Sequence, residues 1–198
     1  MPMNSLIQLW HRTFTKTQAL EGIASLALRL YLAPVLIQAG YNKLANFSDT
    51  AAWFGNPDWG LGLPMPELMT ALAAATEFFG GILLLVGLLT RLVALPMMVT
   101  MLVAAFAVHW QNGWLAIADA SSWLANERVL ESVEKLDRAK AILQQHGNYD
   151  WLTSSGKLVI LNNGIEFAMT YFVMLLALFF LGGGRYTSID YYLTRNRV

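Results

Sequence analysis

Four ionisable residues, Lys43, Glu77, His109 and Glu166, stand in or at the edge of otherwise apolar stretches. Intramembrane acids with a histidine nearby are what a proton relay, a quinone headgroup site or a polar translocation path requires. Gln38, Asn42, Asn162 and Asn163 can line the same space, and Arg29 adds a charge inside another apolar run. The expected site is a polar pocket opening outward, with Arg29, Gln38, Asn42, Lys43, Glu77, His109, Asn163 and Glu166 as its candidates. No one of them is singled out as catalytic, and whether the protein is an enzyme stays open. An ion-paired network that merely fixes helix register accounts for the same residues.

The elements that must position these groups centre on Glu67–Arg91, ELMTALAAATEFFGGILLLVGLLTR, whose 23 interior residues contain one ionisable side chain, Glu77. As a helix this run rises roughly 35 Å, enough to cross a hydrocarbon core of about 30 Å. Glu77 falls about 15 Å in, near the bilayer midplane on this count. A carboxylate there costs roughly 2.5–3.5 kcal/mol on insertion scales, so it needs a partner and a protein- or water-facing position. Ala73, Glu77, Gly80, Gly81 and Gly87 share a face on which small residues let another helix approach.

The remaining chain supplies three more spans, expected at about 23–42, 92–110 and 158–181, beside the one at 67–90. Arg29 lies about 9 Å inside the first, where it either snorkels or pairs with an acid in the bundle. Pro34 should kink that helix. Phe47–Pro66, rich in Trp, Gly and Pro, reads as a loop at the membrane interface or a lid on a site. Asn4–Gln18 reads as an interfacial helix or a disordered tail. Between the third and fourth spans the insertion 119–157 is polar. Asn126 can cap a helix to about His146, with Gly147 as its stop. Val129, Val133, Leu136 and Leu143 form an apolar stripe, with Glu131–Lys135 and Glu134–Arg138 as i,i+4 pairs on the wet side. The fold class expected is all-α: a four-helix integral membrane bundle, one domain, with an extramembrane amphipathic helix between transmembrane helices 3 and 4.

Composition agrees with a membrane setting: of 198 residues 56% are hydrophobic and 13% charged, against about 25% charged in soluble domains. Net charge is zero and there is no cysteine, which removes a basic nucleic-acid footprint, disulfides and thiolate metal sites. Met98, Met101 and His109 share a stripe that suits a soft metal. Met101 and His109 are eight residues, about 12 Å, apart, so methionine as core filler is the better reading and no metal site is assigned. Met1–Glu21 lacks a small-residue cleavage site, so no cleaved signal is expected. Arg12, Lys16, Arg91, Arg185, Arg195 and Arg197 fall on one side of four spans, against Lys43 and Lys157 near them on the other. That bias puts both termini in the cytoplasm and residues 119–157 outside.

The segments LRLYLAPVLIQAGYNKL, EFFGGILLLVGLLTRLVA and NNGIEF…LGGGRYTSID resemble those of the DoxX family of small four-helix membrane proteins. The resemblance covers about residues 23–110 and 158–190. The long insertion and the NNG and GGGRYTSID details look most like the HvfX-type branch, associated with maturation of copper-binding ribosomal peptides. The family pattern falls on Arg29, Gly40, Lys43, Glu77, Gly80, Gly81, Arg91, Glu166, Arg185 and Asp190. Ala39 departs from it, since many members carry a histidine before that glycine. The resemblance implies a bacterial-type inner membrane, links to quinone-coupled oxidation, and redox or peptide-maturation partners. A quinone is the cofactor it suggests first, copper second. A non-catalytic scaffold or export helper for a small metal-binding peptide is the alternative. The substrate, the partner and the oligomeric state are not readable.

Overall fold

The computed structural model describes residues 20–195, together with Trp10. The interfacial helix expected at Asn4–Gln18 therefore lies outside the described residues, Trp10 apart. The elements are helical: α1 (Glu21–Ala45), α2 (Phe47–Gly55), α3 (Pro66–Val86), α4 (Thr90–Val103), α5 (Glu127–His146), α6 (Tyr149–Leu152), α7 (Glu166–Leu181) and α8 (Ile189–Thr194). Helical winding continues past α4 as a π-helical turn, Ala104–His109, and a 3-10 turn, Trp110–Asn112. Among the described residues, three helical stretches are long and apolar enough to cross a membrane: Gly22–Ala45, Pro66–Val86 and Thr90–Asn112. α7 is apolar but has 16 residues, about 24 Å of rise. The described residues form two compact units, one of those up to residue 100 with those from 172 onward, and the other of residues 101–171.

In the first unit α1 and α3 pack antiparallel. Lys43 meets Glu77, Gly40 faces Phe78, Gly81 faces Ile37 and Ala33, and Arg29 reaches Leu84 and Leu85. The contact is nearly backbone on backbone. A Cβ at Gly40 would land on the Phe78 backbone, and one at Gly81 would come 2.7 Å from Ile37 Cγ1 and 3.0 Å from its amide nitrogen. Gly80 turns to the other side, where Met97 and Val93 of α4 fill the space. α3 thus uses adjacent glycines to accept two helices, the small-residue packing that membrane helices favour. Its buried line is Thr70, Ala74, Glu77, Gly80, Gly81 and Leu84; Ala74 takes the place that the sequence reading gave to Ala73, which is half-buried. Met97 and Met98 are buried with the apolar core, and Met101, the first residue of the second unit, is buried as well. Leu30, Val35, Leu72, Phe79 and Val99 stay exposed, as lipid-facing positions do.

α3 stops at Val86 because Gly87 adopts φ 68°, and the amides of Gly87 and Leu88 return to the carbonyls of Leu84 and Leu83, a Schellman closure. Phe47–Gly55, expected as loop, is a helix. It contains no proline, and its one glycine ends it; Ala51 and Phe54 pack inward. The loop proper is shorter, and Asn56 Oδ1 organises it by accepting from the amides of Asp58 and Trp59.

In the second unit, residues 113–118 and 161–166 run antiparallel. Ala118 N donates to Leu161 O, Asn163 N to Ala116 O, Ile165 N to Gly113 O and Glu166 N to Trp114 O. This pairing consumes the backbone of 161–166, so the apolar helix expected from residue 158 starts at Glu166. Ala105, Ile165 and Ala168 pack together beneath it. α5 runs Glu127–His146, with Asn126 Oδ1 accepting from Val129 N and Gly147 beyond its end. Of its apolar stripe only Val129 is buried. Lys135–Glu131, at 3.9 Å, and Lys140–Asp137, at 3.6 Å, are its ion pairs, both exposed.

The close approach of α1 and α3 gives a first prediction. Gly81→Leu forces Ile37 and its backbone aside and should cost about 1–3 kcal/mol. Ala71→Leu, on the exposed face of the same helix, should leave stability unchanged. Thermal unfolding in detergent, followed by size-exclusion profile, separates the two; equal stability of both variants would refute the tight contact.

Candidate functional site

The polar interior of the first unit is built from the last turn of α1 and the middle of α3. Lys43 Nζ donates to Glu77 Oε2 at 2.6 Å. The Glu77 side chain is 6% exposed and that of Lys43 25%, so the acid is enclosed while the amine keeps one side open. A buried carboxylate must be paired or become neutral, and Lys43 is the partner. The antiparallel register also shifts its depth. Glu77 sits opposite residues 40–43, only a few residues from the end of α1 at Ala45, on the order of 6 Å along the axis. It is therefore nearer one end of the α1–α3 pair than its position within α3 alone implies.

Gln38 and Asn42, expected to line the same space, do not face it. They bond each other, Gln38 Nε2 to Asn42 Oδ1 at 2.8 Å, and both are exposed. Five residues separate Gln38 from Lys43, about 140° around the helix, so the amides occupy the opposite side of α1.

Arg29 is fully buried, and it neither snorkels nor pairs directly with an acid. Nη1 donates to Leu84 O (3.1 Å) and Leu85 O (3.0 Å), and Nη2 to Thr187 O (2.7 Å). The guanidinium therefore holds the carboxyl end of α3, where unpaired carbonyls and the helix dipole favour a cation. On the far side of the same turn Asp190 Oδ1 accepts from Leu89 N (2.7 Å) and Oδ2 from Thr90 N (2.9 Å), at the amino end of α4. Asp190 N also donates to Gly87 O. One turn is thus gripped by a cation at the helix end before it and by an anion at the helix start after it. The roles of Asp190 and Thr187 went unread among the pocket candidates. The signal available was the acid in GGGRYTSID, which has no apolar run around it.

His109 and Glu166 lie in the second unit and form no ion pair within 4.0 Å. His109 Nδ1 is 2.9 Å from Asn163 O. A carbonyl only accepts, so Nδ1 carries the proton, and the Nε2 lone pair of the neutral ring is left for another partner. Asn112 Nδ2 donates to the same carbonyl at 3.2 Å. Asn163 holds that carbonyl in place with φ 67°, a left-handed conformation that asparagine tolerates. Glu166 Oε2 accepts from Ala116 N at 2.7 Å. The direct pairing expected of these two side chains is replaced by bonds to the backbone of the 113–118 and 161–166 segments. Among the described residues no group of three or more His, Asp or Glu is placed to hold a metal ion.

The DoxX family model matches residues 24–110, from α1 through the end of the α4 extension. With the three long apolar helices, this supports a DoxX-like, multi-pass membrane protein in a lipid bilayer. No match was found among curated proteins or solved structures.

Removing one member of a buried pair costs up to about 3–5 kcal/mol, because the other charge is left uncompensated. The exposures make the two cases unequal. Lys43→Met strands an enclosed carboxylate, whereas Glu77→Gln strands an amine that can turn to water. Lys43→Met should be the more destabilising single variant, and Lys43→Met/Glu77→Gln should lose less than the two singles combined. A double-mutant cycle on detergent-solubilised protein measures this; additive losses would contradict the pairing.

Proposed function

We propose that the chain is a DoxX-like accessory protein of a quinone-linked or copper-peptide maturation pathway, of the HvfX-type branch, with its polar site at Lys43 and Glu77. The observation that carries this reading is the ion pair itself: a nearly enclosed carboxylate, on a membrane helix, bonded to an amine that keeps an open side. Intramembrane ionisable groups are expensive and mark proton, ion or ligand paths. A lysine ammonium can donate to a quinone carbonyl, and the neighbouring carboxylate can pass a proton as the headgroup is reduced. Electrons would come from a partner redox protein, and the quinone would arrive through the lipid. Copper handling ranks lower, because Met97, Met98 and Met101 sit in apolar packing and His109 offers one free nitrogen.

In this reading α7 is a fourth span, completing a four-helix bundle in a bacterial-type inner membrane. Both termini are cytoplasmic, and residues 119–157, with their amphipathic α5, lie outside. The bias of Lys and Arg toward one side supports that orientation. A second reading is a non-catalytic scaffold or export helper for a small metal-binding peptide. What favours it is α5, whose Leu130, Val133 and Ile142 are exposed and would suit a docking peptide.

Extraction of purified protein and absorbance of the extract test the first reading. Quinone should co-purify with the wild type and fall severalfold in Glu77→Gln at equal membrane expression. Equal quinone in both would remove Glu77 from a binding role, and a peptide cross-linking to α5 would favour the scaffold. For orientation, Gln144→Cys should be labelled in intact cells by a membrane-impermeant thiol reagent. Labelling only after lysis would invert the topology.

A further inference from the structure

A second polar place lies away from Lys43 and Glu77, at the other end of the α1–α3 pair. A cavity of about 830 Å³ opens between the α3–α4 turn and the segment that follows α7, with Arg91, Arg185, Gly182–Gly184 and Asp190 in its lining. Its chemistry is lopsided. Asp190, the acid in the lining, has both oxygens occupied by the amides of Leu89 and Thr90. Arg91 spends one donor on Phe180 O, at 3.1 Å, and lies against Gly182, where a Cβ would sit 3.1 Å from its Nε. Arg185 stands over the Tyr186 ring, 4.9 Å from its centre. Among the described residues no carboxylate comes within 4.0 Å of either guanidinium.

The rest of the lining is apolar and open. Leu92 and Phe180 are more than half exposed, and Leu181 nearly so. Gly182 and Gly184, at φ 74° and 91°, carry the chain around the cavity without side chains that would fill it. Two guanidiniums beside an exposed apolar wall, at the ends of α4 and α7, match a molecule with an anionic head and hydrocarbon tails. We infer that this cavity binds the phosphate headgroup of an anionic phospholipid, with Arg91 and Arg185 on the phosphate and Leu92 and Phe180 against the acyl chains. The inference rests on the membrane reading of the chain but not on the Lys43–Glu77 site. Planar guanidinium forks suit phosphate oxygens, and basic residues near a bilayer surface favour anionic lipid by about fivefold each.

Delipidated protein in non-ionic detergent, titrated by native mass spectrometry, provides the test. Phosphatidylglycerol should bind at least fivefold more tightly than phosphatidylethanolamine of the same acyl chains. Arg185→Gln, at an exposed position, should lower phosphatidylglycerol affinity about fivefold, while Arg185→Lys should keep most of it. Arg91→Gln also breaks the bond to Phe180 O, so Arg185 carries the decision. Equal affinity for the two lipids would overturn the inference, as would an unchanged Arg185→Gln. Inorganic phosphate binding as tightly as phosphatidylglycerol would overturn it too, by assigning the cavity to a soluble anion.

Discussion

The first unit depends on how closely the backbones of α1 and α3 approach at Gly40 and Gly81. Neither position has room for a Cβ, so the helices meet main chain to main chain. In lipid, where no hydrophobic driving force separates helix from solvent, such packing is a main source of association. It also sets register. With Gly40 against Phe78 and Gly81 against Ile37, Lys43 can reach Glu77 and Arg29 can reach the end of α3. A one-residue slip would turn each side chain about 100° away.

Charge then finishes what packing begins. Arg29 and Lys43 are 14 residues apart on α1, about 21 Å along its axis; the first holds the carboxyl end of α3 and the second its middle. They do so by different chemistry. Arg29 bonds Leu85 O at the helix end, shares Leu84 O with the amide of Gly87, and reaches Thr187 O, so the buried guanidinium is stabilised without a carboxylate in contact. Lys43 neutralises a side-chain acid. Asp190 mirrors Arg29 across the Gly87–Leu89 turn, an anion at the start of α4. Arg29, Lys43, Glu77 and Asp190 thus all bond to the backbone or to each other, as charges in an apolar setting must.

Much of this was legible from residue types. The need of Glu77 for a partner followed from the cost of an unpaired carboxylate, Gly80 and Gly81 announced a packing face, and Asn126 and Gly147 marked both ends of α5. Methionine at 98 and 101 read as filler, and both are buried. What escaped was everything decided by main-chain groups, which leave no trace in side-chain spacing. The partners of Arg29 are carbonyls. His109 and Glu166, expected to meet each other, are bound instead by Asn163 O and Ala116 N. The start of α7 was hidden for the same reason, since an apolar run cannot say whether its backbone pairs with a neighbouring segment or with itself. Gln38 and Asn42 were misplaced by reading proximity in sequence as a shared face, although five residues turn a helix well past a right angle.

The same distinction sorts structural charges from chemical ones. A guanidinium bonded to three carbonyl oxygens, or a carboxylate holding two amides, has little freedom to meet a ligand without undoing a helix end. That describes Arg29 and Asp190. Lys43 is different: one bond to Glu77 leaves two ammonium donors and an open side, so a ligand can be met while the pair stays formed. His109 is intermediate, fixed through Nδ1 with Nε2 free. Charge density alone would rank Arg29 first among these residues. Ranked by the donors and acceptors still available, Lys43 with Glu77 comes first, and Arg29 belongs to the scaffold that holds them in register.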